Sequence, residues 1–394
     1  MTSGQGSASD AAVEELFLDL PTGVEIEVVD GESQGDETPV VDRPWNPDQI
    51  RVSTKQFSLR NVLDYIDDGG LELAPDFQRA KVWNRTQKSR LIESILLQIP
   101  LPAFYFAEDS DGAMRVVDGL QRLSTVHDFV RGSDKEAFSL TGLEYLEDQK
   151  GKRCKDLPPM WRRRIDNTQI VAHVIDPTTP NGVKYDIFKR INTGGTPLNA
   201  QEIRHCMSKN RSRGFLKGLV SLPEFNQATG GKLVNHVRMS DREMALRFCA
   251  FWMNHGLRGY RDYRGMEEFL DTANEHIDDP SKVSDAMLKE MKEAFRVAMV
   301  NCYTVFGEHA FRKWALDNDA LKPINRPLFE AWSTALSSVA PDFVNQKRDQ
   351  IVWRARDLMT TDRQFLDSIT SATGTAAHVE YRFAKTQEAV EDLA

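Results

Sequence analysis

Apolar positions keep two different rhythms in the two halves of the chain. After Ser58, a candidate helix cap, Leu59, Val62, Leu63 and Ile66 recur at helical spacing. Residues 71–74 read as a short strand. Leu91, Ile92, Ile95, Leu96 and Ile99 make a second helical stripe, stopped by Pro100 and Pro102. Residues 103–107 and 114–117 read as strands joined by the turn Asp109-Ser110-Asp111-Gly112, and 170–175 as a further strand. This mixture predicts a small α+β domain. From about residue 200 the strand pattern disappears. Ser240-Asp241-Arg242-Glu243 predicts a capping box that opens a helix carrying Met244, Leu246, Phe248 and Phe251. Residues 287–305, 328–336 and 343–358 continue in helical style. The expected organisation is a tail at 1–46, an α+β domain at 47–205 and an all-helical domain at 206–394, with no internal repeat.

Charge sharpens this picture at the N-terminus. The net charge is −9, but residues 1–45 hold eleven acids and one base. Without them, 48 acids face 49 bases among the chain's 59 and 50. Gly, Ser, Asp and Glu dominate residues 1–46, which predicts a disordered acidic tail. Residues 11–20 could form a short amphipathic helix for a partner; a solubilising tail is the plainer reading. Bases gather at 150–164, 209–217 and 347–356, as they would to face phosphates or merely as solvated helix faces. Four distant cysteines, with no C-x-x-C pair, read as reduced structural thiols. No apolar run reaches about 18 residues, and the first ten residues lack the features of a secretory signal. The default expectation is a cytoplasmic protein without membrane contact.

Candidate chemistry lies at three polar turns. In Val116-Val117-Asp118-Gly119-Leu120-Gln121-Arg122 a strand runs into a helix. Asp118 and Gln121 could be a capping box and nothing more. The same geometry also presents free N–H groups and a positive dipole end that attract phosphate, with Gly119 admitting a close ligand. Arg122 adds a forked donor, and Asp118 could hold a Mg²⁺ or a water. Gln78-Arg79 forms a second amide–guanidinium pair in a loop. Arg190-Ile191-Asn192-Thr193-Gly194-Gly195-Thr196 is a third turn, followed by the candidate capping box Asn199/Glu202. No P-loop motif is present.

Taken in order, P-x-F-Q-R…W, V-D-G-x-Q-R-x-x-T and F-x-R-I-N-T-G-G-T-P-L-N-x-Q-E-I-R resemble the N-terminal domain of GmrSD-type restriction systems. That family was long catalogued as domain of unknown function 262. The likeness spans about 55–205 and extends loosely through Arg238-Met239-Ser240-Asp241-Arg242-Glu243. It implies a ParB/sulfiredoxin-like fold and a role in defence against phage and foreign DNA. It also implies nucleoside triphosphate binding and hydrolysis that control a nuclease. By position it implies catalytic roles for Asp118, Gln121 and Arg122. Nucleotide binding would fall to Gln78, Arg79, Gly119, Thr125, Arg190, Asn192, Thr193, Gly194 and Gly195, with Asp118 as the Mg²⁺ ligand. One departure is Leu120, where relatives often carry a second glutamine; an apolar residue there predicts a side chain facing the core.

Many relatives append an HNH-type nuclease, whose metal site needs clustered histidines. The eight histidines here show no such spacing, and His127, on the stripe Leu123–Val126–Val130, reads as a core residue. A nuclease is therefore expected as a separate partner, with DNA as a further partner. The competing readings are a DNA-binding sensor without catalysis and a scaffold that grips a partner through its acidic tail.

Overall fold

A computed structural model describes residues 12–17, 19–28, 50–73, 83–109, 112–133, 136–191, 198–254 and 259–392. The chain divides into two units, 40–207 and 1–39 with 208–394. The first unit carries the larger sheet with its helices and the second is mostly helical, in keeping with the expected fold class, and the second unit also takes in the N-terminus. Among the described residues no helix is long and apolar enough to cross a membrane.

The N-terminal segment departs from expectation. Residues 12–28 lie within the stretch whose composition predicts disorder, yet they form an antiparallel hairpin, β1 (Glu14–Phe17) and β2 (Leu20–Glu25). Of the stretch 11–20 expected as an amphipathic helix, the described residues include the strand Glu14–Phe17 and the start of β2, and residues 11 and 18 lie outside the described ones. The reason for the hairpin is long-range pairing. Glu25 N–H donates to Ile324 O at 2.8 Å, Ile324 N–H to Gly23 O at 2.9 Å, and Thr373 N–H to Val28 O at 3.0 Å. Three carboxylates then meet bases that are buried or, at Lys313, half-buried. Glu27 pairs with Arg247 at 2.6 Å, Glu25 with Lys313 at 2.6 Å, and Glu15 with Arg326 at 3.4 Å. Acids that look solvated in the sequence are counter-ions for this unit.

In the α+β unit, five strands make one sheet in the order β3-β7-β5-β6-β4. They are β3 (Val52–Ser58), β4 (Leu71–Glu72), β5 (Phe104–Glu108), β6 (Met114–Asp118) and β7 (Gln169–Ile175). The helices are α1 (Leu59–Asp67), α2 (Arg85–Leu96), α3 (Leu120–Val130), α4 (Pro159–Asn167), α5 (Asn181–Ile191) and α6 (Ala200–Met207). Ser58 caps α1 as predicted, accepting from Asn61 N–H at 3.2 Å. A capping box that pattern reading missed, Asn84 with Gln87, opens α2. Helix α2 stops at Leu96, so Ile99 falls outside the stripe and is exposed. Along β7, Ile170, Ala172 and Val174 are buried while Gln169 and Val171 are exposed, the alternation of a strand with one covered face. β6 is buried through its first four residues, and Arg115 on it donates to Cys206 O of α6 at 3.2 Å. Helix α6 therefore helps to cover the second face at β6.

Glu93 of α2 is buried, and its carboxylate accepts N–H groups from Glu144, Tyr145 and Leu146 at 3.0, 2.7 and 2.8 Å. Burial acts to raise its pKa, but these three donors and Arg90 outweigh it and hold the carboxyl below its ordinary value.

The helical unit is built from α7 (Asn210–Val220), α8 (Pro223–Ala228), α9 (Ser240–Met253), α10 (Met266–Asp278), α11 (Asp285–Phe306), α12 (Arg326–Leu336), α13 (Pro341–Thr361), α14 (Arg363–Ser368) and α15 (Ala376–Glu391). Helix α9 is buried on nearly every side, as a central helix is. Its expected capping box is absent. Met239, at φ 55°, is the N-cap, and Ser240 lies inside the helix. Glu243 instead bridges Arg247 at 3.0 Å and Arg326 at 3.1 Å. Arg247 also meets Glu330 at 2.9 Å, and Glu330 pairs with Arg382. All three of these side chains are at most 1% exposed.

Two outcomes follow. Glu27→Ala leaves Arg247 short of a counter-ion and should cost about 3 kcal/mol, lowering the Tm by on the order of 10 °C; circular dichroism melts measure it. For Glu93, a depressed folded pKa means its contribution is complete above the unfolded value and lost as pH falls through the folded one. Glu93→Gln should therefore be less stable than the wild type at pH 7, with the gap closing below about pH 4.5 in urea titrations.

Candidate functional site

The antiparallel pair β5–β6 brings the start of β5 and the end of β6 to one edge of the sheet, while β4, parallel to β6, pairs with its first two residues. Asp118 closes β6, opposite Tyr105. The chain then turns at Gly119, with φ 94° and ψ 9°, and enters α3. Gly119 is the N-cap, so the expected Asp118/Gln121 capping box does not form. No side chain caps the helix start; Leu123 N–H is bonded to Gly119 O at 2.9 Å.

Glycine is required here on two counts. Its φ lies in the left-handed region, where a Cβ costs about 1–2 kcal/mol. A Cβ would also collide with the Phe104 ring, 2.8 Å from Cε1, and lie 3.0 Å from Arg122 Nη2.

Arg122 stacks on that ring, with its guanidinium carbon 4.1 Å from the centroid. Nη1 donates to Pro102 O, and Nη2 to Ala103 O at 3.1 Å and to Asp118 Oδ2 at 3.0 Å. Burial lowers its pKa, with Asp118 opposing that shift. The residue expected to clamp phosphate thus ties the start of β5 to the end of β6, and a phosphate reaching it has to displace those acceptors. Gln121 contrasts with it. The side chain is half-buried beside the turn, and among the described residues its carboxamide has no partner. Leu120 is buried, as its apolar character predicts. Thr125 is buried, and its hydroxyl donates to Gln121 O at 2.7 Å within α3. His127 is not a core residue. It is partly exposed and lies 2.9 Å from Asp67 of α1.

The other two motifs are described only at their flanks. Gln78 and Arg79 lie outside the described residues, as do Asn192, Thr193, Gly194 and Gly195. Arg190 is exposed in the last turn of α5. The predicted capping box of α6 is present: Asn199 N–H donates to Glu202 Oε2 and Glu202 N–H to Asn199 Oδ1, both at 2.8 Å. The segment carrying Gln78 and Arg79 leaves from β4, next to β6, and the third motif runs into α6, which meets β6 through Arg115 and Cys206.

Residues 59–208 match the family described as the GmrSD restriction endonuclease, N-terminal domain. Over these residues the chain is similar to that family. The matched span begins at α1 and ends just past α6, so it takes in the GmrSD-type turn at Asp118–Arg122 and every helix of the unit. No curated protein matches the chain.

Two charged groups beside β6 in the GmrSD-type domain gave no sequence signal. Arg115, 4% exposed, pairs with Asp109. Lys184 of α5 donates to Pro177 O at 3.1 Å, and burial lowers its pKa against the pull of Asp109. An Arg within a strand pattern and a Lys within a helix pattern read as surface residues, and only the packing on the second face of the sheet buries Arg115 and half-buries Lys184.

Gly119→Ala should destabilise the domain by on the order of 3 kcal/mol, because strain and overpacking add. Chemical denaturation measures this, and a change below about 0.5 kcal/mol would contradict the geometry described.

Proposed function

We propose that the GmrSD-type domain binds a nucleoside triphosphate at the end of β6 and serves a restriction or anti-phage defence system, acting with a separate nuclease and DNA. The family assignment supports the defence role. The observation that carries the nucleotide reading is the turn itself. A left-handed glycine opens an eleven-residue helix without a side-chain cap, flanked by an unpartnered carboxamide at Gln121 and a carboxylate at Asp118. Uncapped N–H groups at a helix start receive phosphate oxygens and favour negative charge.

In this reading Gln121 orients a water and Asp118 accepts its proton or holds a cation. Arg122 acts from behind, keeping Asp118 and the start of β5 in place. Among the described residues no group of three or more His, Cys, Asp or Glu could hold a metal. Mg²⁺ fits here only with Asp118 on one side and the nucleotide's own phosphates on the other, an arrangement this ion accepts. The ion would supply charge neutralisation on the phosphates. Gln78, Arg79 and the segment 190–195 complete the pocket in this proposal.

Gln121→Ala tests the site without touching the Arg122 strap. We expect at least a tenfold loss of nucleotide affinity by calorimetry, across a panel of nucleoside triphosphates with Mg²⁺, and an unchanged Tm. Unaltered affinity would remove this turn from the site. The same panel scored for phosphate release tests hydrolysis.

A further inference from the structure

Of the three basic runs in the sequence, two are committed inside the helical unit. Arg211 donates to Val283 O at 2.8 Å and Asp285 at 2.7 Å, and Arg213 to Asn210 at 2.7 Å. Arg348 donates to Thr304 O at 2.9 Å, Arg354 pairs with Asp392 at 3.7 Å, and Arg356 bonds Ala315 O and Asp319, both at 2.9 Å. The run in the α+β unit differs. Lys150, Lys155, Arg162 and Arg163 are exposed, and among the described residues none has a carboxylate partner. Residues 145–164 hold seven bases against three acids in a chain of net charge −9.

Two anchors on α2 hold this strip together. Glu93 fixes the backbone at Tyr145, and one turn later Leu96 O accepts from Arg164 Nη1 at 3.0 Å. Tyr145 is 74% exposed and Met160 52% exposed, so apolar contact area stands beside the free charges. Helix α4 turns Met160, Arg162 and Arg163 outward while Ile165 packs inward. Free cations that meet no internal acceptor, backed by a rigid helix and an exposed ring, suit a polyanion with regularly spaced charges.

We propose that this strip, centred on α4 with Tyr145 at its border, is a docking surface for the phosphate backbone of duplex DNA. It takes up the DNA side of the function proposed above, and the cations bind by charge neutralisation, without reading sequence. The strip lies outside the nucleotide turn, so it is testable without nucleotide.

The test uses the full chain and a fluorescently labelled duplex, followed by anisotropy over a range of salt with no nucleotide present. The triple variant Lys155→Gln/Arg162→Gln/Arg163→Gln should bind at least about tenfold more weakly, with a log–log salt slope shallower by about three. Its Tm should match the wild type, because these side chains hold no partner. The control Lys282→Gln/Lys289→Gln/Lys292→Gln removes the same charge from the helical unit and should bind normally. Equal loss in both triples, unchanged affinity in the first, or no duplex binding by the wild type each overturns the surface while leaving the nucleotide turn untouched. Equally tight binding of poly-glutamate overturns the assignment to DNA.

Discussion

The stack of Arg122 on Phe104 over Gly119 is the contact on which this end of the sheet depends. It joins three things that the chain separates: the start of β5, the end of β6 and the first turn of α3. Because a Cβ at residue 119 would occupy the place of the ring, the turn has one solution, a bare left-handed backbone. That solution leaves the helix start without a side-chain cap and, among the described residues, the Gln121 carboxamide without a partner, the two features on which the proposed nucleotide site rests. Arg122 is then the residue that holds the opening in shape, by donating to carbonyls that a strand end would otherwise leave without partners.

Where each guanidinium finds its acceptors separates structure from surface throughout the molecule. Arg247, Arg326 and Arg382 are interior residues with carboxylate partners, and removing an acid weakens the compensation of a charge held at low dielectric. The hairpin at 14–25 is part of this arrangement, since Glu15, Glu25 and Glu27 bring negative charge to bases of the helical unit. Around α4 the opposite holds for Lys150, Lys155, Arg162 and Arg163, which are exposed and, among the described residues, have no carboxylate partner, so their field is available to a partner.

Much of this was legible from residue order. Strands 103–107 and 170–175 and the stripe at Leu59, Val62 and Leu63 lie where periodicity puts them, because apolar burial has the same period as the backbone. The Asn199/Glu202 box was readable because its partners sit three residues apart. Three motifs in order were enough to identify the family of residues 59–208. Failures came where a distant partner outweighed a local preference. Ser240 and Glu243 have the spacing of a cap, but Arg247 and Arg326 claim the carboxylate. His127 has an apolar spacing, but Asp67 draws it to the surface.

Residue order by itself determined the two-part organisation, the position of most elements and the polar turn at 118–122, since each follows from spacing within a few residues. Only the tertiary structure decided which charges are interior. Composition makes the N-terminal acids a solvated tail, whereas folding brings Glu27 to Arg247 of α9 and Glu15 to Arg326 of α12, across 220 and 311 residues of chain. A counter-ion acts through space and carries no signature in sequence, so its effect becomes visible only when both partners have been placed.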